Sequence, residues 1–218
     1  MREPFVGVGT GRCGTNSLVE IVNACDKTIA THEAYQMFWY ETNKRVGDLI
    51  VDMHESQNGG ILRGEVSQAC GPHVGSLRSS FKGLKVVCLH RDRESTVESF
   101  MNFGSNLIRP HDKKKWVDGT MGVGIRANAQ RCFPLIDGID ARQAYGFYWD
   151  FYEALMERIT EPVMHMQVDE LSGDLDPLFD FLEIPECDRK YSEKRKFFTA
   201  DEVDEIRKEM TRGKSKPR

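Results

Sequence analysis

The 218-residue chain lacks any apolar stretch approaching the about 18 uninterrupted residues that a membrane-spanning helix needs. It lacks a strong excess of either charge. Its 30 Lys and Arg against 34 Asp and Glu leave a net charge of −4, which gives no support to general nucleic-acid binding. Its six cysteines (13, 25, 70, 88, 132 and 187) are scattered without the spacing of a disulfide framework. Cys70-Gly71-Pro72-His73 has no second ligand pair at suitable spacing, so no metal is expected. No repeat or low-complexity tract is present. The given N-terminus runs directly into an apolar segment, so no signal peptide is expected. The expectation is a cytoplasmic protein of one domain, 1–218, with one substantial core. Its basic tail at about 211–218 reads as solvated.

One further absence narrows the chemistry. Phe5 to Val22 reads as a short apolar strand, a glycine loop and a helix opening with Thr15-Asn16-Ser17. Gly9 to Gly14 has the spacing of a Walker A loop, but Thr15-Asn16 stands where that motif needs lysine and a hydroxyl residue. A nucleotide triphosphatase is therefore not expected. What is present still suits an anion. Glycines turn backbone N–H groups toward a ligand, the helix start adds positive potential, and Arg12 adds a full charge. Gly9, Gly11 and Gly14 also match the dinucleotide fingerprint, with Glu33 about 20 residues later, although Arg12 is unusual inside it. A strand-to-helix turn with no ligand is the plainest alternative.

A second stretch has the same design. Lys85 to His90 is a continuous apolar run that reads as a buried strand. It ends at Arg91-Asp92-Arg93, followed by helical spacing that carries Ser99. A cation and a hydroxyl so placed can hold a second phosphate. Alternatively, Arg91 pairs with Asp92 or Glu94 and Ser99 is only a small residue on the helix face. Strands are predicted near 4–9, 28–31, 61–67, 85–90 and 163–168. Helices are predicted near 14–25, 34–45, 73–80, 94–104, 123–136, 140–160 and 175–183. This alternation predicts an α/β fold, a single-domain three-layer sandwich with a central parallel sheet flanked by helices. The polar segment 104–122 reads as a long surface loop. Tyr145, Phe147, Tyr148, Trp149, Phe151 and Tyr152 crowd one helix and read as core packing in preference to a substrate platform.

Taken together, the two stretches resemble the sulfotransferase family, which uses 3′-phosphoadenosine 5′-phosphosulfate (PAPS). Arg12-Cys13-Gly14-Thr15-Asn16-Ser17-Leu18 is similar to that family's loop for the 5′-phosphosulfate, with arginine where many members have lysine. Arg91, Asp92 and Ser99 are similar to its motif for the 3′-phosphate, with Arg93 in place of a proline. Segments 163–171 and 178–185 look like its late strand and a following Phe-Leu-Gly-Leu-Pro stretch. The resemblance spans residues 5–185 in order and implies a P-loop-like phosphosulfate loop after the first strand. It also implies a site in which Arg12, Cys13, Gly14, Thr15, Asn16, Ser17, Arg91 and Ser99 bind PAPS or its product PAP.

The reaction implied is sulfuryl transfer to a hydroxyl, less readily an amine, of a small-molecule or carbohydrate acceptor. Such a transfer needs a cation at the departing oxygen and a base near the acceptor. Arg12 is the candidate cation. Glu33 is the favoured base and His32 its rival, because carbohydrate-type and bacterial members place a glutamate in this region. Glu33 could instead cap the following helix. Cys13 lies in the loop, where the helix start would favour its thiolate. Two other classes stay open: a dinucleotide-dependent oxidoreductase built on the three glycines, and a non-catalytic module that binds a nucleotide or sulfated ligand.

Overall fold

The computed structural model describes residues 2–35, 37, 39, 44–102 and 140–189. The expected loop at 104–122, the helix at 123–136, the basic tail and Cys132 lie outside the described residues. Five strands, β1 (Phe5–Gly9), β2 (Thr28–His32), β3 (Leu62–Val66), β4 (Lys85–His90) and β5 (Val163–Gln167), form an all-parallel sheet in the order β2-β3-β1-β4-β5. The sheet is flanked by α1 (Thr15–Asn23), α2 (Lys44–Asn58), α3 (Val74–Ser80), α4 (Arg93–Asn102), α5 (Ala141–Met156) and α6 (Asp176–Phe181). The fold is α/β with helices on both sheet faces, as the alternation of elements predicts.

The strand order dictates which helix covers which face. From β1 the chain steps to the β2 edge, whereas every later crossover steps the opposite way. Right-handed crossovers therefore send α1 to one face and α2, α3, α4 and α5 to the other. Burial follows this division. Leu18, Ile21 and Val22 of α1 pack with Phe5, Val66, Val87 and Leu89, and Leu178 and Phe179 of α6 join them. Leu49 and Met53 of α2, Leu77 of α3, Phe100 of α4 and Tyr148 of α5 pack with Val6, Val8, Val86 and Cys88. Odd and even positions of β4 thus serve opposite layers, as a pleated strand requires.

The β2 edge is closed by a side chain. Asn23, the last residue of α1, donates from Nδ2 to the Ala30 carbonyl at 2.8 Å and accepts the Ala30 N–H at 2.7 Å. Both backbone groups of that edge residue are satisfied by one amide, which leaves less of the edge to pair with another strand.

The helix expected at 34–45 is not formed as predicted. Ala34, Tyr35, Met37 and Trp39 are not helical, and α2 begins only at Lys44. Tyr35, Met37 and Trp39 are all buried in the layer beneath α2. The Met37 N–H bonds to the Tyr35 carbonyl at 2.9 Å, a tight turn in place of a helical hydrogen bond. Helix α2 itself was missed. Its buried residues, Val46, Leu49, Met53 and Gln57, make a narrow stripe on an otherwise polar helix.

Gly64 on β3 lies directly under the fully buried ring of Phe5, and an added Cβ would overlap that ring. Gly64→Ala should destabilise the fold by about 1–3 kcal/mol, read as a lower urea midpoint. Phe5→Leu in the same background should recover part of the loss, whereas strictly additive effects would rule out the proposed overlap.

Candidate functional site

The loop after β1 leaves toward α1 on one face, while the loops after its neighbours β3 and β4 leave for the other. Adjacent loops that part in this way open a crevice at the carboxyl ends of the strands, here on both sides of β1. The glycine loop fills that position. Gly11, Arg12 and Gly14 all have left-handed backbone, with φ of 78°, 60° and 87°. Three left-handed residues within four positions bend the chain sharply between β1 and α1. Gly14 precedes α1 as its N-cap and makes no side-chain cap hydrogen bond. It also has no room for a side chain, since a Cβ would sit 2.8 Å from Leu171 and 2.9 Å from Val168. The segment just after β5 therefore packs against the loop.

Carbonyls of this loop point into the protein, where they need donors. Tyr148 on α5 donates its hydroxyl to the Thr10 carbonyl at 2.8 Å. Arg91 donates from Nη1 to the Arg12 carbonyl at 2.8 Å. Trp149 donates its indole N–H to the Arg91 carbonyl at 2.9 Å, and Tyr152 donates to the Gln68 carbonyl at 2.7 Å. Helix α5 thus holds the ends of β1, β3 and β4 together. Tyr145, Tyr148 and Tyr152 are buried as core, in line with the reading of that helix, while Phe147 and Phe151 are exposed. The polar tips of these aromatics were missed, and nothing in their spacing announces partners 58 to 138 residues away.

On the β4 side, Arg12 Nε donates to Ser99 Oγ at 3.0 Å. Arg12, Arg91, Glu94, Ser95, Glu98, Ser99 and Asn102 line a cleft of about 530 Å³. Two predicted motifs, 79 and 87 residues apart through these contacts, therefore meet in one place. The acids beside Arg91 are otherwise engaged. Asp92 accepts the Ser95 N–H at 2.8 Å and caps α4, which holds its carboxyl below the usual range. Glu94 and Glu98 both pair with Arg142 of α5. Arg93, where the family's proline would stand, forks onto Asp150 of α5 at 2.9 and 3.2 Å.

His32 and Glu33 do not line that cleft. They lie at the end of β2, on the other side of the loop. His32 Nε2 lies 2.9 Å from Thr15 Oγ1, the first residue of α1, and 3.9 Å from Glu33 Oε1. Glu33 is not a helix cap, since α2 begins at Lys44. Its backbone has φ 51°, a left-handed conformation rare for a non-glycine residue, and its side chain is 49% exposed. On the first turn of α1, Asn16 is exposed and Ser17 half-buried.

Cys13 requires a correction. Its side chain is fully buried and its Sγ packs where a side chain on Gly9 would have to go. Burial pushes the thiol up to about 11, the opposite of the thiolate expected at a helix start. This side chain faces the core and is closed to a ligand.

One residue of this region escaped sequence reading. Glu65 on β3 is fully buried. Its Oε1 accepts the Ala34 N–H at 2.9 Å and its Oε2 accepts the Thr31 hydroxyl. Burial raises its carboxyl from 4.5 to about 7, opposed by those hydrogen bonds and by Arg63. An acid two residues after Arg63, on one face of the five-residue strand Leu62-Arg63-Gly64-Glu65-Val66, is the signal that could have found it.

Among the described residues, no group of His, Cys, Asp and Glu is arranged to hold a metal ion, and no helix is long and apolar enough to cross a membrane. The chain matches no family model and no curated protein.

The Glu65 shift has a measurable sign. The folded state binds the proton more tightly than the unfolded chain. The stabilisation is therefore complete below pH 4.5 and lost as pH rises to about 7. Glu65→Gln, which cannot titrate, should gain on the wild type by about 3 kcal/mol across that window and run parallel above it. Urea midpoints from pH 4 to 8 measure the difference, and a constant gap would exclude the shift.

Proposed function

We propose that this chain is a sulfotransferase that moves a sulfuryl group from PAPS to a hydroxyl of an acceptor, with a sugar or other hydroxylated metabolite as the preferred class. The observation that carries this reading is the convergence of Arg12, Arg91 and Ser99 in one cleft beside the left-handed loop at the end of β1. An anion loop alone would serve many ligands. A second cation–hydroxyl pair beside it suits a molecule with phosphate-like groups at two separate positions, as PAPS has.

In this reading the N–H groups from Gly14 to Ser17 cradle the 5′-phosphosulfate, and Arg91 with Ser99 takes the 3′-phosphate. PAPS supplies an activated sulfur whose bond to the bridging phosphate oxygen breaks as the acceptor oxygen bonds to it. Arg12 meets the negative charge that grows on that bridging oxygen. Glu33 takes the acceptor's proton, with His32 beside it as the alternative base. Strand β2 stands two positions from β1 with β3 between them, and His32, next to Glu33, reaches the start of α1 at Thr15.

The oxidoreductase reading is less well supported. In the dinucleotide-binding fold β2 adjoins β1 and brings its terminal acid to the ribose, whereas here β3 lies between them. That reading also assigns nothing to Arg91 and Ser99. A non-catalytic binding module would share the ligand but not the transfer.

Thermal shifts with PAP, NAD and FAD separate the classes, since a ligand that binds the folded state raises Tm. PAP should stabilise the chain, and a shift with NAD or FAD instead would reverse the choice. Arg91→Ala should weaken PAP about 10–100-fold while changing AMP binding far less, because AMP lacks the 3′-phosphate. Equal losses for both nucleotides would remove that role from Arg91. Arg12→Ala should depress both PAP affinity and turnover, because the same cation touches the bound group and the transition state. Glu33→Gln should bind PAP normally yet slow single-turnover transfer from labelled PAPS by about 10²–10⁴-fold. Near-normal transfer would move the base to His32.

A further inference from the structure

We propose that Glu65 is the positioning residue of this site, a buried carboxylate that holds the turn 31–35 in the shape that presents Glu33. The proposal rests on the sulfotransferase reading for the role of Glu33, but its geometry stands without that reading. Glu65 cannot touch an acceptor itself, because it is fully buried. It acts through its two hydrogen bonds, and these bracket Glu33 in sequence: Thr31 lies two residues before it and Ala34 one after.

The turn needs such a brace. Glu33 has left-handed backbone at φ 51°, which a residue with a side chain abandons unless its surroundings over-determine it. Three contacts from β3 do so. Glu65 holds both flanks, and the Glu33 N–H donates to the Val66 carbonyl at 3.2 Å. Arg63, on the same face of β3 as Glu65, donates from Nη2 to the Tyr35 hydroxyl at 3.0 Å, and that hydroxyl bonds to Asp52 of α2. Both charged side chains of this strand therefore attach to the connection after β2.

A buried carboxylate is a costly way to satisfy one amide and one hydroxyl, and an apolar side chain of the same size often stabilises a fold at such a position. If Glu65 served stability alone, its replacement would register in Tm and nowhere else. If it positions the turn, replacement registers in the turn and the chemical step even where Tm holds.

Glu65→Met removes both acceptors while keeping the volume. Thr31→Val removes one donor on the edge strand and serves if the first variant does not fold. Glu65→Gln keeps an oxygen for the Ala34 N–H and is the conservative rescue. Hydrogen exchange should quicken at least about tenfold at Glu33 and Ala34 in Glu65→Met, with β1 and β4 unchanged. PAP affinity should stay within about twofold of wild type, while single-turnover transfer falls at least about tenfold and Glu65→Gln recovers most of it. Wild-type exchange at Glu33 and Ala34 in both Glu65→Met and Thr31→Val overturns the proposal, as does quickened exchange with undiminished transfer. A wild-type chain that neither binds PAP nor transfers from PAPS overturns the sulfotransferase reading instead. Exchange alone then decides the brace, quickened exchange supporting it and unchanged exchange overturning it.

Discussion

The carbonyls of the loop after β1 point into the protein, and the architecture of this molecule follows from satisfying them. The loop after β1 passes through left-handed residues at Gly11, Arg12 and Gly14. The Thr10 and Arg12 carbonyls are met by Tyr148 and Arg91, and the Arg91 carbonyl by Trp149. Each such bond is worth only about 1 kcal/mol net, but leaving a buried carbonyl unpaired costs more. Helix α5 therefore packs across the sheet with its aromatic rings in the core and their polar tips at the strand ends. Core packing and loop geometry share the same side chains.

The same economy governs β3. Leu62 and Val66 face the layer of α1, whereas Arg63 and Glu65 face the opposite side and attach to the chain after β2. Tyr35, Met37 and Trp39 then bury themselves in sequence between that turn and α2. The loop at the end of β1 thus has a cleft with Arg12, Arg91 and Ser99 on its β4 side and the His32–Glu33 turn on its β2 side. Thr15, at the start of α1, connects the two by its contact with His32.

Where local pattern and tertiary demand agree, the elements were legible. Lys85–His90 is apolar because a central parallel strand is covered on both faces, and its limits are read directly from the run. Phe5–Gly9 is equally plain. The segment after β2 misleads because Tyr35, Met37 and Trp39 are apolar enough to suggest a helix, while the structure buries them without a helix and turns the chain tightly between Tyr35 and Met37. Helix α2 is hard to read for the converse reason, since its stripe of four buried residues is diluted by charges. At the site, Arg12 and Arg91 stand out as cations just after apolar strands, and Ser99 as a hydroxyl on the helix that follows β4. Glu65 does not, because its partners are backbone and hydroxyl groups some thirty residues away.

The sequence by itself determined the alternation of strands and helices, and hence a parallel sheet with helices on both faces. Periodicity and glycine placement are local properties of the chain, so they survive without coordinates. It also determined that a cation-bearing glycine loop follows the first strand, because left-handed turns and helix starts have local signatures. Only the tertiary structure decided that β3 and not β2 adjoins β1, since strand order depends on which edges meet and not on any one segment. Only it placed Arg91 on the Arg12 carbonyl and Arg12 on Ser99, and turned the Cys13 side chain into the core. Only it gave Glu65 its partners. Each of these depends on desolvation and on contacts between distant segments, and neither exists until the chain has folded.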